Sequence, residues 1–321
     1  TANNIQFGSI TLNGRANTLR LTDCAVTGDI SMDGATITTV GGSTPNSWGA
    51  QTINATNSTF GATITISNSN GGGITFQDSK MTGGTNAVSF TSDGGSIRVS
   101  GASALGVITV APRTVNGSYA TVNISGGSVL GVTQDNSAVS ANDKALSVTV
   151  TGANTRFGDI NTGVNGTVSI TDADGDSITV DKGTLTIGGS GVNITGDVTV
   201  GADDKTTLNM RATGSSFGGI KAVATKGANV IIGAWEGKRQ IQGGNDYGVL
   251  DLKDYKGKKV TGGTFSGART IIDTFVAETC LPWLDTANLQ FVTTSGTTTF
   301  DLYTKDELAR AISDIGTTDA L

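Results

Sequence analysis

The side chains that could do chemistry in this sequence are carboxylates, because the chain contains no histidine. The absence of histidine excludes Ser-His-Asp and Cys-His nucleophile systems and the usual zinc sites. Glycoside hydrolysis needs only two carboxylates. The aspartates that could supply such a pair are Asp172, Asp174, Asp176, Asp197, Asp203 and Asp204. No spacing in the sequence selects two of them, so we predict that the protein is not an enzyme and has no cofactor.

Residues 172–176 alternate carboxylates in the manner of a calcium-binding loop, since hard cations bind several oxygens that converge from a tight turn. Gly175 precedes the third acid instead of following it, and Gly183 stands where the bidentate glutamate is expected. We therefore predict a solvated turn and no metal, with Asp172, Asp174 and Asp176 as weak candidate ligands.

Basic residues are concentrated in one part of the chain. Residues 205–270 hold 11 Lys and Arg against 4 Asp and Glu, whereas residues 1–204 hold 8 against 15 and residues 271–321 hold 2 against 8. Side chains of one sign on neighbouring strands attract a polymer of the opposite sign. The centre of this cationic band is a candidate site for acidic glycans, and it consists of Lys238, Arg239, Lys253, Lys256, Lys258 and Lys259. The alternative is that these residues only keep turns soluble and protect strand edges.

Trp48 follows a stretch rich in Gly, Ser and Asn at 41–47, which predicts a loop that leaves the repeat. An exposed Trp48 there would stack on a sugar ring or a partner, and the alternative is that it folds back as a lid.

A repeated phrase organises the chain: two apolar residues flank a polar one, and small turn-forming residues follow. The first apolar residues of its eleven copies lie at 19, 53, 74, 97, 122, 148, 168, 185, 208, 230 and 250. Alternation with period two predicts a strand with one buried face, and a strand that returns about every 20 residues leaves no room for a crossover helix. The sequence therefore predicts an all-β fold, a single-stranded, right-handed parallel β-helix over residues 1–270.

The residue between the two apolar positions should point outward. It is polar in ten of the eleven copies, from Arg20 and Asn54 to Asp251, with Ile231 as the exception. The 47 glycines then belong to turns.

Cys24 and Cys280 lie at opposite ends of the repeat, so we predict that they do not form a disulfide. No apolar run is long enough to span a membrane, and no nucleic-acid motif is present. The chain begins with Thr1 and Ala2 rather than Met, which is typical of a processed or excised chain.

The phrase ends near residue 262, and residues 271–321 are predicted to form a capping segment. Strands are expected at 271–276 and 289–292, and a capping box at 304–307 predicts a short helix to residue 315.

The sequences at 21–30 and 124–131 resemble the passenger repeats of bacterial autotransporter adhesins, especially the self-associating AIDA type. The resemblance covers about residues 5–270. It implies a secreted passenger at the bacterial outer surface whose β-helix mediates attachment or cell-to-cell aggregation, with roles in biofilm formation and virulence. The helix predicted at 304–315 is not a feature of those passengers.

The expected function is therefore that of an extracellular adhesin. Its expected partners are a second copy of itself, host surface glycans or matrix, but not nucleic acid. The alternatives are a phage tail fibre, a polysaccharide-degrading β-helix enzyme and, last, an ice-binding protein, because Thr-x-Thr segments such as 63–65 do not recur in the sequence at the spacing of the phrase.

Overall fold

The computed structural model describes residues 1–14, 16–36, 47–83, 87–112, 120–135, 146–163, 165–201, 206–222, 229–232, 234–236, 239–241, 246–251, 264–266, 288–293 and 296–301. Every regular element in these ranges is a β-strand. Long runs of parallel pairing make the fold an all-β parallel β-helix, and the predicted fold class is confirmed. No helix in these ranges has the length and apolar character to cross a membrane.

Most strands of the first half of the chain have two to seven residues, and most alternate buried and outward-facing residues. They are β1 Ala2–Asn3, β2 Gln6–Phe7, β3 Ile10–Asn13, β4 Asn17–Thr22, β5 Ala25–Val26, β6 Ile30–Asp33, β7 Ala35–Thr36, β8 Ser47–Thr56, β9 Thr59–Phe60, β10 Ile64–Gln77, β11 Lys80–Met81, β12 Ala87–Asp93, β13 Gly95–Ser100, β14 Ala104–Pro112, β15 Ala120–Ile124, β16 Ser128–Gln134, β17 Leu146–Thr151 and β18 Arg156–Thr162.

The strands of the second half continue in the same style and end in an antiparallel pair. They are β19 Gly166–Thr171, β20 Asp174–Val180, β21 Gly183–Gly188, β22 Asn193–Val200, β23 Thr207–Met210, β24 Ser216–Ala222, β25 Asn229–Ile232, β26 Ala234–Glu236, β27 Arg239–Ile241, β28 Asp246–Asp251, β29 Thr264–Ser266, β30 Asn288–Thr293 and β31 Gly296–Asp301.

The chain divides into two compact units. Unit 1 holds residues 1–168 and 173–175, and unit 2 holds residues 169–172 and 176–321.

Each turn of the β-helix in unit 1, here called a rung, contributes up to three strands in chain order, and equivalent strands of successive rungs pair in parallel. The first strand line contains β1, β4, β8, the end of β10, β13, β15 and β17. The second contains β2, β5, β9, β11 and the starts of β14, β16 and β18. The third contains β3, β6, the start of β10, β12 and the ends of β14, β16 and β18.

The predicted register of the phrase is confirmed for its first six copies. Their leading apolar residues stack in one column: Leu19, Ile53, Ile74, Ile97, Val122 and Val148. All of them except the partly exposed Leu19 are fully buried. The polar residue between the apolar positions faces outward, also as predicted.

Unit 2 repeats this pairing, with one correction. Leu185, Leu208 and Val230 stack as predicted. Leu250 does not follow Val230, because β28 pairs with β24 and places Leu250 on Ile220. Both strand lines have the same alternation of apolar and polar residues, so the pattern alone assigned the last copy to the wrong line.

Between the first and second strand lines of unit 1, the turn carries a buried row of small side chains. The hydroxyl of Ser79 accepts a hydrogen bond from the backbone N–H of Ser58 at 3.1 Å and donates one to the carbonyl of Gln77 at 2.9 Å. In the same way, the hydroxyl of Ser58 accepts a hydrogen bond from the backbone N–H of Cys24. The hydroxyl of Ser103 accepts one from the backbone N–H of Ser79. This row satisfies backbone groups that the turn would otherwise bury without partners.

We expect Ser79→Ala to lower the free energy of unfolding by about 1–3 kcal/mol, because the buried N–H of Ser58 loses its acceptor. Urea unfolding followed by circular dichroism measures this loss. The matched control is Ser89→Ala on the outer surface, for which we expect a change within about 0.5 kcal/mol. Equal losses in the two variants would contradict a structural role for the row.

Only part of the predicted C-terminal capping segment lies within the described residues. The strand predicted at 289–292 is present within β30, which pairs antiparallel with β31. The predicted strand at 271–276 and the helix at 304–315 lie outside the described residues, and so does Cys280. Cys24 is a free, buried thiol.

Candidate binding faces

The candidate acids Asp172 and Asp174 have different neighbours in the described structure. Asp172 has a positive φ of 54°, and its Oδ1 accepts a hydrogen bond from the N–H of Ser190 at 2.7 Å. The Oδ2 of Asp174 lies 3.8 Å from a guanidinium nitrogen of Arg156. Each carboxylate thus contacts its own neighbour.

Asp172 lies in a turn, whereas Asp174 and Asp176 lie in β20 on either side of the buried Gly175, and alternate residues of a strand are about 6.6 Å apart. The Oδ1 of Asp176 accepts a hydrogen bond from the hydroxyl of Thr195 at 3.5 Å. In the described ranges, no three His, Cys, Asp or Glu side chains are grouped as metal ligands. Asp197 forms an ion pair with Lys221 at 2.5 Å, and Asp203 and Asp204 lie outside the described residues.

The other predicted binding residues are largely beyond the described structure. Lys238, Lys253, Lys256, Lys258 and Lys259 lie outside the described residues. Arg239 lies in β27, which pairs antiparallel with β26, and Trp48 lies in β8, where it pairs antiparallel with Ala35 of β7. The backbone of Trp48 is thus part of a strand, and stacking by its side chain stays a prediction.

Two outward surfaces of unit 1 are better defined. The first, here called the hydroxyl face, lies on the third strand line. One outward residue from each rung aligns in register to form a single row: Thr11, Ser31, Thr65, Ser89, Thr109, Thr133 and Asn161. With neighbouring strands about 4.8 Å apart, the seven groups repeat at that spacing over about 29 Å.

The central part of the hydroxyl face is uncharged. The strand segments 64–67, 87–91, 107–111 and 131–134 contain no acidic or basic residue. Within the described structure, no side chain of the row forms a hydrogen bond to another residue. These hydroxyl groups are therefore available to a partner, unlike the buried serines of the turn.

Exposed apolar side chains lie beside the row. Val107 is 38% exposed and Leu130 is 59% exposed, on neighbouring rungs. Val107 lies opposite Gly131, which has no side chain to cover it. Among the residues whose side-chain exposure the structure describes, these two and Ile5 are the large, apolar and exposed ones, so the face combines free hydroxyl groups with an uncovered apolar spot.

The second surface, here called the arginine face, lies on the first strand line. Its central row is the predicted outward position of the phrase, in register across six strands: Arg20, Asn54, Thr75, Arg98, Asn123 and Thr149. Arg20 and Arg98 are exposed. No carboxylate occurs in the strand segments 17–22, 49–56, 73–77, 95–100, 120–124 and 146–151.

Two carboxylates border the arginine face at the turn, and both are already engaged. Asp23 accepts a hydrogen bond from the side-chain amide of Asn57 at 2.6 Å, and Asp78 accepts one from the N–H of Ala102 at 2.8 Å. Asp23, Asn57 and Asp78 have φ near +50°, a conformation that Asn and Asp tolerate better than most residues. These acids therefore stabilise the turn and do not pair with the two arginines.

Sequence reasoning placed Arg20 and Arg98 on an outward row without singling them out as a site, and it missed the hydroxyl face. The signal was present: segments such as 30–32, 64–66, 88–90 and 108–110 also place a hydroxyl between two apolar residues. Loops of unequal length separate them, so their common register appears only in the folded chain.

Comparisons with known proteins give no assignment: no protein-family model, no curated protein and no solved structure matches this chain.

Proposed function

We propose that this chain is an extracellular adhesin of a bacterial surface, which self-associates through the hydroxyl face of unit 1. The observation that carries the proposal is the uncharged row of hydroxyl groups in register, with exposed Val107 and Leu130 beside it. Exposed apolar side chains rimmed by unused polar groups support an interaction surface.

The repeat of the row supplies the recognition. Two copies brought together with their rows antiparallel present the same spacing of about 4.8 Å to each other, so one matched pair of groups brings the others into position. Each hydrogen bond contributes only about 0.5–1.5 kcal/mol net, and association itself costs several kcal/mol. A single pair of chains is therefore weakly bound, and many chains on two facing cells add their contacts through avidity.

Charge favours the hydroxyl face over the arginine face for this role. A symmetric pairing of two arginine faces about the centre of their row places Arg98 of one copy opposite Thr75 of the other, so the two Arg98 side chains lie one strand spacing apart, and like charges repel. The centre of the hydroxyl face carries no charge, so the same symmetric pairing meets no repulsion there.

The test is sedimentation velocity of the full chain over a wide concentration range. We expect a concentration-dependent dimer for the unaltered chain. The variant Thr109→Arg/Thr133→Arg should be monomeric at the same concentrations, because each new guanidinium group would lose water and find no partner in a contact between two uncharged surfaces.

The matched control is Thr75→Arg/Thr149→Arg, which adds the same charge to the arginine face and should dimerise like the unaltered chain. Circular dichroism and thermal unfolding show whether each variant folds. An unaltered chain that stays monomeric, or a hydroxyl-face variant that dimerises normally, would contradict the proposal. A detergent-resistant trimer that ignores salt would favour the phage fibre instead.

A further inference from the structure

We infer that the arginine face is a separate binding surface for an extended anionic polysaccharide, which lies across the strands along the row from Arg20 to Arg98. The inference does not depend on self-association, because the two faces lie on different strand lines.

The electrostatic argument begins with the isolation of the two arginines. No described carboxylate forms an ion pair with Arg20 or Arg98, and the strands of the face hold no acid. Unit 1 holds nine Asp against seven Lys and Arg, so a surface with two unpaired guanidinium groups and no carboxylate is a local excess of positive charge. Guanidinium groups bind carboxylate and sulfate oxygens through paired hydrogen bonds.

The spacing of the arginines selects a polymer over a small anion. The pairings of β4 with β8, β8 with β10, and β10 with β13 place Arg20 and Arg98 three strands apart, or about 14 Å. This distance exceeds the Debye length of about 8 Å at physiological ionic strength. A single small anion therefore senses one arginine, whereas a chain with repeated charges reaches both and gains from their linkage.

The side chains between and beyond the arginines favour a sugar chain over a nucleic acid. Asn54 and Thr75 lie between them, and Asn123 and Thr149 continue the row. Amides and hydroxyls of this kind exchange hydrogen bonds with sugar hydroxyls. The strand segments that define the face hold one aromatic residue, Phe76, which is buried, and two cations are few for binding a phosphate backbone.

The direct test is an arginine footprint on the full chain. Phenylglyoxal modifies exposed guanidinium groups, and mass spectrometry reports the rate at each residue. Saturating heparin or polygalacturonate should slow modification of Arg20 and Arg98. Arg156, whose side chain is 76% exposed on the second strand line, is the internal control and should react at an unchanged rate.

This readout is local, so binding of the polymer to the cationic band at 205–270 cannot imitate it. Unchanged rates at Arg20 and Arg98 would overturn the inference. Equal protection by single-stranded DNA of matched charge would also overturn it, because the face would then recognise charge alone.

Heparin binding by substituted chains is the second test of the inference. Arg20→Gln/Arg98→Gln should abolish binding to the arginine face. In a background with Lys253, Lys256, Lys258 and Lys259 changed to glutamine, this double variant should raise the heparin Kd about tenfold or more, as expected for the loss of charge-assisted hydrogen bonds. Lys80→Gln/Arg156→Gln removes the same charge from the second strand line and should leave the Kd within about twofold.

The dimerisation variant Thr109→Arg/Thr133→Arg should keep the full footprint at Arg20 and Arg98. The two proposals can therefore be contradicted separately. A chain that stays monomeric but shows the footprint contradicts self-association alone, and a chain that dimerises without the footprint contradicts polysaccharide binding alone.

Discussion

Phe76→Ala is expected to lower the free energy of unfolding by about 3–5 kcal/mol, a large part of the stability of a typical domain. The Phe76 side chain is 0% exposed, and its ring meets that of Phe60 edge to face with centroids 5.7 Å apart. In its column it lies between Ala55 and Val99, which are too small and too rigidly held by the strand pairing to fill the space. The loss therefore includes both the apolar transfer term and an unfilled cavity.

Urea unfolding of the full chain, followed by far-ultraviolet circular dichroism, measures this loss. The control Phe76→Leu keeps most of the apolar volume and should cost less than half as much as the alanine variant. Because stacked repeats can unfold in parts, hydrogen exchange at the amides of β8, β10 and β13 serves as a second readout. Similar losses for the leucine and alanine variants would show that the column is loosely packed at this position.

The sequence predicts the first strand line because its apolar pairs form a pattern that can be recognised even though the loops between the copies differ in length. The column from Leu19 to Val148 confirms this register. The same pattern cannot distinguish strand lines, so Leu250 was assigned to the line of Val230 instead of that of Ile220. Hydrophobic alternation specifies which way a residue faces, but only backbone pairing specifies its neighbour.

For the candidate sites too, the sequence predicts which way a residue faces but not which groups it contacts. Arg20 and Arg98 could be placed on one outward row from the sequence, because they occupy the same position of the phrase. Their unpaired state depends on Asp23 and Asp78 being engaged in the turn, which only the hydrogen bonds reveal. The hydroxyl groups of the third strand line stand between apolar residues in the sequence, but only the folded chain shows that they lack the hydrogen bonds that Ser58 and Ser79 make.

Glycines in the middle of β10 offer the sharpest test of the close approach between rungs. Gly71 and Gly72 have nearly the same left-handed φ, 70° and 73°. A Cβ at Gly71 meets nothing within 4 Å, whereas a Cβ at Gly72 falls 2.3 Å from the carbonyl oxygen of Gln51 on the preceding rung. The two positions share the conformational cost of a side chain and differ in the clash.

We expect Gly71→Ala to lose about 1–2 kcal/mol of unfolding free energy, the cost of a left-handed residue with a Cβ. Gly72→Ala should lose that amount and about 1–3 kcal/mol more, since backbone atoms of β8 or β10 must move to relieve the overlap. The difference between the two variants, measured by urea unfolding, isolates the inter-rung contact because the backbone strain cancels.

Hydrogen exchange distinguishes a displacement of Gln51 from a general loss of stability. The Gln51 side chain donates a hydrogen bond to the carbonyl of Gly14 at 2.9 Å and accepts one from Asn17 at 2.9 Å. If Gly72→Ala pushes Gln51 away, hydrogen exchange should accelerate at the amides of β4 and β8, while Gly71→Ala should leave them protected. Equal stability of the two variants would mean that the rungs separate freely at this point, and β10 would then be held by its side chains alone and not by close backbone packing.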